Sequence, residues 1–153
     1  MLVMVDNRQY RNIEGTYLGF DFGYKKIGVA VGETITVTAS PLQTIRSINQ
    51  SPDWQILSRL IKEWKPTGLV VGISRKMDGT DNPVTPRIIK FCNQLEGRYQ
   101  LPVFKQDETL STFEAKQMLF DDVNVTATKL WEVQDQLAAQ LILQSWLNDH
   151  IKG

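Results

Sequence analysis

The hydrophobic pattern divides the chain into short apolar runs that alternate, from the middle onward, with amphipathic stretches. "TYLGFDF" and "KIGVAVG" predict two strands joined as a hairpin by a short turn around Gly23 and Tyr24. "TITVTASPLQTI" predicts a third strand ending near Pro41. In "SPDWQILSRLIKEWKP", Ser51 is the expected N-cap and Pro52 the first helical residue. Leu57, Leu60, Ile61 and Trp64 then recur at i, i+3, i+4 and i+7, an amphipathic stripe. "TGLVVGIS" is continuously apolar, as a strand covered on both faces would be. A helix over residues 83–99 places Val84, Ile88, Cys92, Leu95 and Tyr99 on one face. "LPVFKQD" predicts another strand, followed by helices over about 111–120 and 128–150.

The order is three strands, then helix, strand, helix, strand and two helices. An antiparallel unit feeding parallel crossovers gives an α/β fold, a mixed five-stranded sheet with helices on both faces. Ligands of such sheets gather at the carboxyl ends of the strands. Residues 1–14 are polar and aperiodic and are expected to be a loosely ordered extension. Residues 15–153 contain no repeat or Pro/Gly-rich linker and are expected to form one domain. A chain of 153 residues buries about two-thirds of its unfolded surface.

No run approaches the roughly 18 to 20 apolar residues that span a bilayer, so no membrane partner is expected. The first residues are too polar for a signal peptide, and the single cysteine, Cys92, excludes an internal disulfide. The expected compartment is the reducing cytoplasm. Seventeen basic and seventeen acidic side chains cancel, which argues against a general nucleic-acid coat protein. A local basic patch around an acidic site remains open.

Three acidic positions stand out. Asp21 interrupts an apolar strand, where an ionised group is costly unless paired or bound to metal. The alternative, a turn aspartate capping local amides, fits less well because Asp21 precedes the turn. Asp107 and Glu108 fall where the last strand ends. The next helix has its own capping box in Ser111 and Glu114, leaving this pair either to chemistry or to solvent. Asp135 shares a helical stripe with Ala138, Ala139, Ile142 and Trp146, whose alanines allow close approach to the sheet. A helix-start position favoured by the macrodipole is the competing explanation.

Converging carboxylates repel one another unless a cation neutralises them. All-oxygen ligands select Mg²⁺ or Mn²⁺ over zinc. The sole histidine, His150, lies at the far end of the chain, away from these acids. A carboxylate site with hard cations suits metal-assisted phosphodiester hydrolysis.

"LGFDFGYKKIGVAVG", "VVGISRKMDGT", "DETLSTFEA" and "QDQLAAQLILQSWL" together resemble the YqgF family, also called RuvX, from about residue 17 to 147. The resemblance implies an RNase H-like fold and a nuclease, described for pre-16S ribosomal RNA and earlier for Holliday junctions. It carries the strand aspartate onto Asp21, the acidic pair onto Asp107 and Glu108, and the late helical aspartate onto Asp135. By it, the catalytic set is Asp21, Asp107, Glu108 and Asp135. The expected metal ligands are Asp21, Glu108 and Asp135; the sequence does not decide between Asp107 and Glu108, and Glu108 is favoured for its reach beyond the strand end. The chain departs from the family pattern at four positions. Tyr24 replaces Ser or Thr, Thr109 replaces Arg, Ser74 replaces Pro, and Gln134 replaces a basic residue. Thus the acids are kept while two basic positions are lost, and Arg75 and Lys76 add charge to a loop that is less basic in the family.

Lys25, Lys26, Arg75, Lys76 and Arg87 are the candidate phosphate contacts, with Lys90 a further cation; ordinary solubilising charge is the other reading of each. Trp64 and Trp146 fall at core spacing, as does Cys92. The expected partner is structured RNA, pre-16S rRNA by resemblance, or branched DNA, bound by a monomer or weak homodimer. Symmetric cutting of a junction would require a two-fold dimer. A non-catalytic RNA- or ribosome-binding module is the alternative outside enzymes. An actin-like ATPase would need a second lobe for which the chain has no room.

Overall fold

The computed structural model describes residues 2–5, 9–12, 14–73, 84–107 and 127–151, with backbone alone at 2–5, 9–12 and 127–132. Strands β1 (Leu2–Val5) and β2 (Gln9–Asn12) pair antiparallel, Leu2 opposite Asn12, outside the main sheet. The sequence predicts no element there. Its β-branched Val3 and Val5 nonetheless favour extended backbone.

The main sheet has five strands: β3 (Thr16–Phe22), β4 (Lys26–Glu33), β5 (Thr38–Arg46), β6 (Gly68–Ile73) and β7 (Val103–Asp107). Their order is β5-β4-β3-β6-β7, with the first three antiparallel and β3, β6 and β7 parallel. This is the mixed sheet that the element order predicts. All six residues of β6 are buried, which explains its unbroken apolar run.

Helices α1 (Trp54–Trp64) and α2 (Thr85–Tyr99) cover one face, and α3 (Ala127–His150) covers the other. Alternation along β3 divides its side chains between them. Leu18 and Phe20 enter the core beneath α1 and α2 with Leu57, Ile88, Phe91 and Leu95. Tyr17 faces α3 and packs with Ile142, Leu143 and Trp146. Both α1 and α2 carry the predicted stripes, and each closes on a left-handed residue shortly before a proline. Lys65 and Gln100 adopt φ 45° and 54°, and their N–H groups return to the carbonyls of Ile61 and Glu96.

Two boundaries differ from the sequence expectation. Strand β5 starts at Thr38 and runs through Pro41 to Arg46, because residues 34–37 form the hairpin turn, with Val37 at φ 53°. Proline is tolerated because β5 is an edge strand, and the ladder shifts register beside it, between Val29 and Ala30. The N-cap of α1 is Asp53, not Ser51; its carboxylate accepts from the Ile56 N–H at 3.4 Å. Ser51 is instead held in a β-bridge, exchanging backbone hydrogen bonds of 2.7 and 3.0 Å with Ile48.

Helix α3 is fixed to the sheet in two ways. Its backbone approaches at two glycines: a Cβ at Gly19 would lie 2.7 Å from Leu143 Cβ, and one at Gly28 would overlap the Asp135 carbonyl. Three glutamines one turn apart then bind β5. Gln136 Nε2 donates to Thr44 Oγ1 (3.2 Å), Gln140 Nε2 to the Ala39 carbonyl (2.9 Å) and Gln144 Nε2 to the Val37 carbonyl (2.8 Å). The Ala39 N–H donates in return to Gln144 Oε1 at 2.9 Å.

Two outcomes follow from this packing. Gly28→Ala will destabilise the fold by about 1–3 kcal/mol in urea melts, because helix backbone fills the space. Gly97→Ala, in α2 with nothing within 4 Å of the new Cβ, will stabilise by about 0.5–1 kcal/mol. Burial also pushes the Cys92 thiol from 9.0 up to about 11. The stability gained from the protonated thiol is therefore full below 9 and lost as pH rises toward 11. Ellman's reagent at pH 8 will leave the native thiol unmodified and titrate one thiol on unfolding.

Candidate active site

Alternation along β3 sends Tyr17, Gly19 and Asp21 toward α3, so the carboxylate leaves the sheet on that face. Asp21 is half-buried and sits one residue beyond Phe20↔Val71, the last β3–β6 pair. It therefore lies level with the carboxyl end of β6. Its antiparallel partner on β4 is Gly28. Directly opposed residues project to the same face, and here the partner has no side chain. The space above Gly28 is taken by α3, where Asp135 Cβ lies 2.9 Å from the position a glycine Cβ would occupy. Register and helix packing thus place Asp21 and Asp135 over neighbouring points of one sheet face.

Lys26 joins them. It is two residues from Gly28 on β4 and so shares its face. Lys26 Nζ lies 3.0 Å from Asp135 Oδ2, with the two side chains 21% and 20% exposed. The contact is an ion pair without hydrogen-bond alignment: Oδ2 is buried and accepts no hydrogen bond. A carboxylate oxygen kept from water and left without a directed donor is a suitable ligand for a hard cation. Among the described residues, no group of three His, Cys, Asp or Glu comes together to hold a metal. Glu108, the third expected ligand, lies outside the described residues, as do Arg75 and Lys76.

Asp107 occupies the other face. Val103 packs into the core beneath α1 and α2 while Phe104 packs toward α3, so Val103, Lys105 and Asp107 alternate away from α3. Asp107 is exposed, pairs with Ile73 in register, and lines a cleft of about 230 Å³ with Ile73, Lys105 and Gln106. Two strand spacings, about 10 Å, separate β7 from β3. Gln106 turns toward α3 instead and donates to Asp149 Oδ2 at 3.1 Å.

The basic candidates divide likewise. Lys25 is exposed on the β3–β4 turn, and its carbonyl accepts from the Ser47 N–H at 2.9 Å. Arg87 is half-buried, with Cζ 4.9 Å from the centroid of Tyr24 and Nη2 donating to Gln50 Oε1 at 3.4 Å. The bulky Tyr24 therefore sets a cation beside the turn that follows Asp21. Trp146 is buried and stacks on His150 at 4.9 Å, consistent with a core role. Sequence reasoning missed Gly28 as the seat of Asp135 and the three glutamines that index α3. Glycine inside a strand, a signal of close backbone approach, pointed to the first.

A mixed β5-β4-β3-β6-β7 sheet with α3 laid across the face that carries Asp21 is the RNase H-like fold. Solved structures agree. T. thermophilus RuvC in complex with Holliday junction substrate superposes with TM-score 0.50 at 13% identity, covering 90% of this chain and 98% of that one. The Fowlpox virus resolvase with junction DNA gives 0.52 at 14%, covering 88% and 97%. The chain belongs to the RuvX family, a family of nucleases, whose profile, described as "RuvX: Holliday junction resolvase", matches residues 15–149. A relative from Methylococcus capsulatus is 49% identical over 133 residues, 87% of this chain and 88% of its own. One from Escherichia coli K12 is 46% identical over 134 residues, 88% of this chain and 96% of its own. Both carry the name "Putative pre-16S rRNA nuclease".

Asp135→Asn will leave the far-UV circular dichroism unchanged and cost about 1–2 kcal/mol in urea melts, between the values for exposed and buried pairs.

Proposed function

We propose that this chain is a metal-dependent endonuclease that hydrolyses RNA phosphodiester bonds and trims the 5′ end of pre-16S rRNA in the cytoplasm. Residues 15–153 act as one nuclease domain. The observation that carries the reading is the seating of Asp135 on Gly28, the register partner of Asp21, with the Asp135 Oδ2 atom buried and accepting no hydrogen bond. The names of relatives at 46–49% identity support RNA as substrate.

In this reading Asp21, Glu108 and Asp135 hold Mg²⁺ or Mn²⁺. A bound divalent cation supplies Lewis-acid stabilisation of the charge that builds on phosphoryl oxygens. The placement of Asp107 on the opposite face favours Glu108 as the ligand, since successive strand positions alternate. Asp107 flanks the site from the cleft side. Lys25, Arg75, Lys76 and Arg87 grip phosphates along the strand ends without reading sequence, and Lys26 stands beside the carboxylates.

A second reading, resolution of Holliday junctions, is favoured by the description of the matching family. It requires two active sites related by a two-fold axis.

The test is cleavage of an end-labelled pre-16S 5′ fragment with Mg²⁺ or Mn²⁺, alongside a four-way DNA junction. Wild type is expected to cut the RNA, and Asp21→Asn and Asp135→Asn to lose at least about 100-fold while remaining folded. Cutting of the junction alone would transfer the assignment to the second reading. No cleavage of either substrate, with RNA retained in the presence of EDTA, would make the chain a binding module.

A further inference from the structure

We infer that Lys26 is an internal counter-cation that competes with the divalent cation for Asp135 and thereby sets the metal affinity of the site. The inference rests on the proposed carboxylate site but concerns a residue to which that reading gives no part in metal binding.

The geometry is specific. Lys26 and Gly28 face α3 from the same strand, and Gly28 seats Asp135. The ammonium lies 3.0 Å from Oδ2, the carboxylate oxygen that is buried and accepts no hydrogen bond. A metal ligated by that oxygen would stand about 2.0–2.1 Å from it if Mg²⁺. Ammonium and metal would then lie within about 5 Å of each other, in a place about one-fifth exposed where water screens them weakly. The site therefore cannot hold both at full strength. Lys26 is suited to yield, because a lysine carries its charge on a flexible four-carbon stem with freely rotating donors. Its partial exposure gives the released ammonium a route to solvent or to a phosphate.

The charge balance supports the same assignment. Asp21 and Asp135 share a face, and close carboxylates repel unless a cation neutralises them. Lys26 supplies a positive charge from the fold itself. The cost is a weaker hold on the external cation.

The inference is tested by Mn²⁺ binding without nucleic acid, following free Mn²⁺ by electron paramagnetic resonance at fixed pH and ionic strength. Lys26→Met is expected to tighten Mn²⁺ binding about tenfold, and Lys26→Arg, which keeps the charge, to stay within about threefold of wild type. Lys26→Gln is the substitute if the methionine variant does not fold, judged by circular dichroism, and carries the same expectation. A purely structural lysine would lower melting temperature and leave the Mn²⁺ dissociation constant unmoved or weaker; that result overturns the inference. Asp21→Asn and Asp135→Asn separate the two claims. If both bind Mn²⁺ as wild type does, the metal site itself is wrong. If both lose Mn²⁺ while the lysine variants are unchanged, only the role of Lys26 falls.

Discussion

Helix α3 comes closer to the sheet than side chain against side chain would permit, because Gly19 and Gly28 present no Cβ where it crosses. The rest of the site depends on this approach. Bringing the Asp135 backbone onto Gly28 puts its short side chain within reach of Lys26 and over the strand pair that carries Asp21. A larger residue at 28 would lift the helix, and a short carboxylate has no length with which to make up the gap. The apolar contacts of Ile142, Leu143 and Trp146 hold the helix down, but burial is non-directional and tolerates sliding. Hydrogen bonds from Gln136, Gln140 and Gln144 fix its position along its axis.

Features set by local pattern were legible in the sequence. Alternation in "TYLGFDF" assigns Asp21 to one face, and the i, i+3, i+4 stripes of α1 and α2 place Leu57, Leu60, Ile88 and Leu95 in the core. Family resemblance supplied the fold name, while element order alone supplied the mixed sheet. What escaped was decided by competition between neighbours. Ser51 looked like an N-cap, but its backbone is taken by Ile48, and Asp53 has the shorter path to the Ile56 amide. Strand β5 passes through Pro41 because an edge has no second neighbour to satisfy, a fact of topology invisible in the residues themselves. The partner of Lys26 was hidden for the same reason, being 109 positions away along the chain. A lysine beside an acidic site reads as a phosphate contact until the register shows which carboxylate it faces.

The two faces of the sheet have different tasks. Beneath α1 and α2 lies one core, with Phe91 packed edge-on against Phe20 and tilted against Phe22 and Trp54 at 5.1–6.0 Å, and Cys92 sealed within it. The α3 side carries an aromatic group of Tyr17, Phe104 and Trp146 at one end and charge at the other. Burial pushes the Tyr17 hydroxyl up to about 12, so this group stays neutral across the working range. Apolar anchoring is thus kept away from the carboxylates, whose environment remains partly wet.

The outer rim of β5 shows a further consequence. Ala39 points both of its backbone polar groups outward, and both are already occupied by glutamines of α3. Two residues on, in the same outward phase, Pro41 has no N–H to offer. An incoming strand, whether from a ligand peptide or from a second copy of the sheet, finds no free ladder along this stretch. A strand added at this edge would therefore have to pair beyond Pro41.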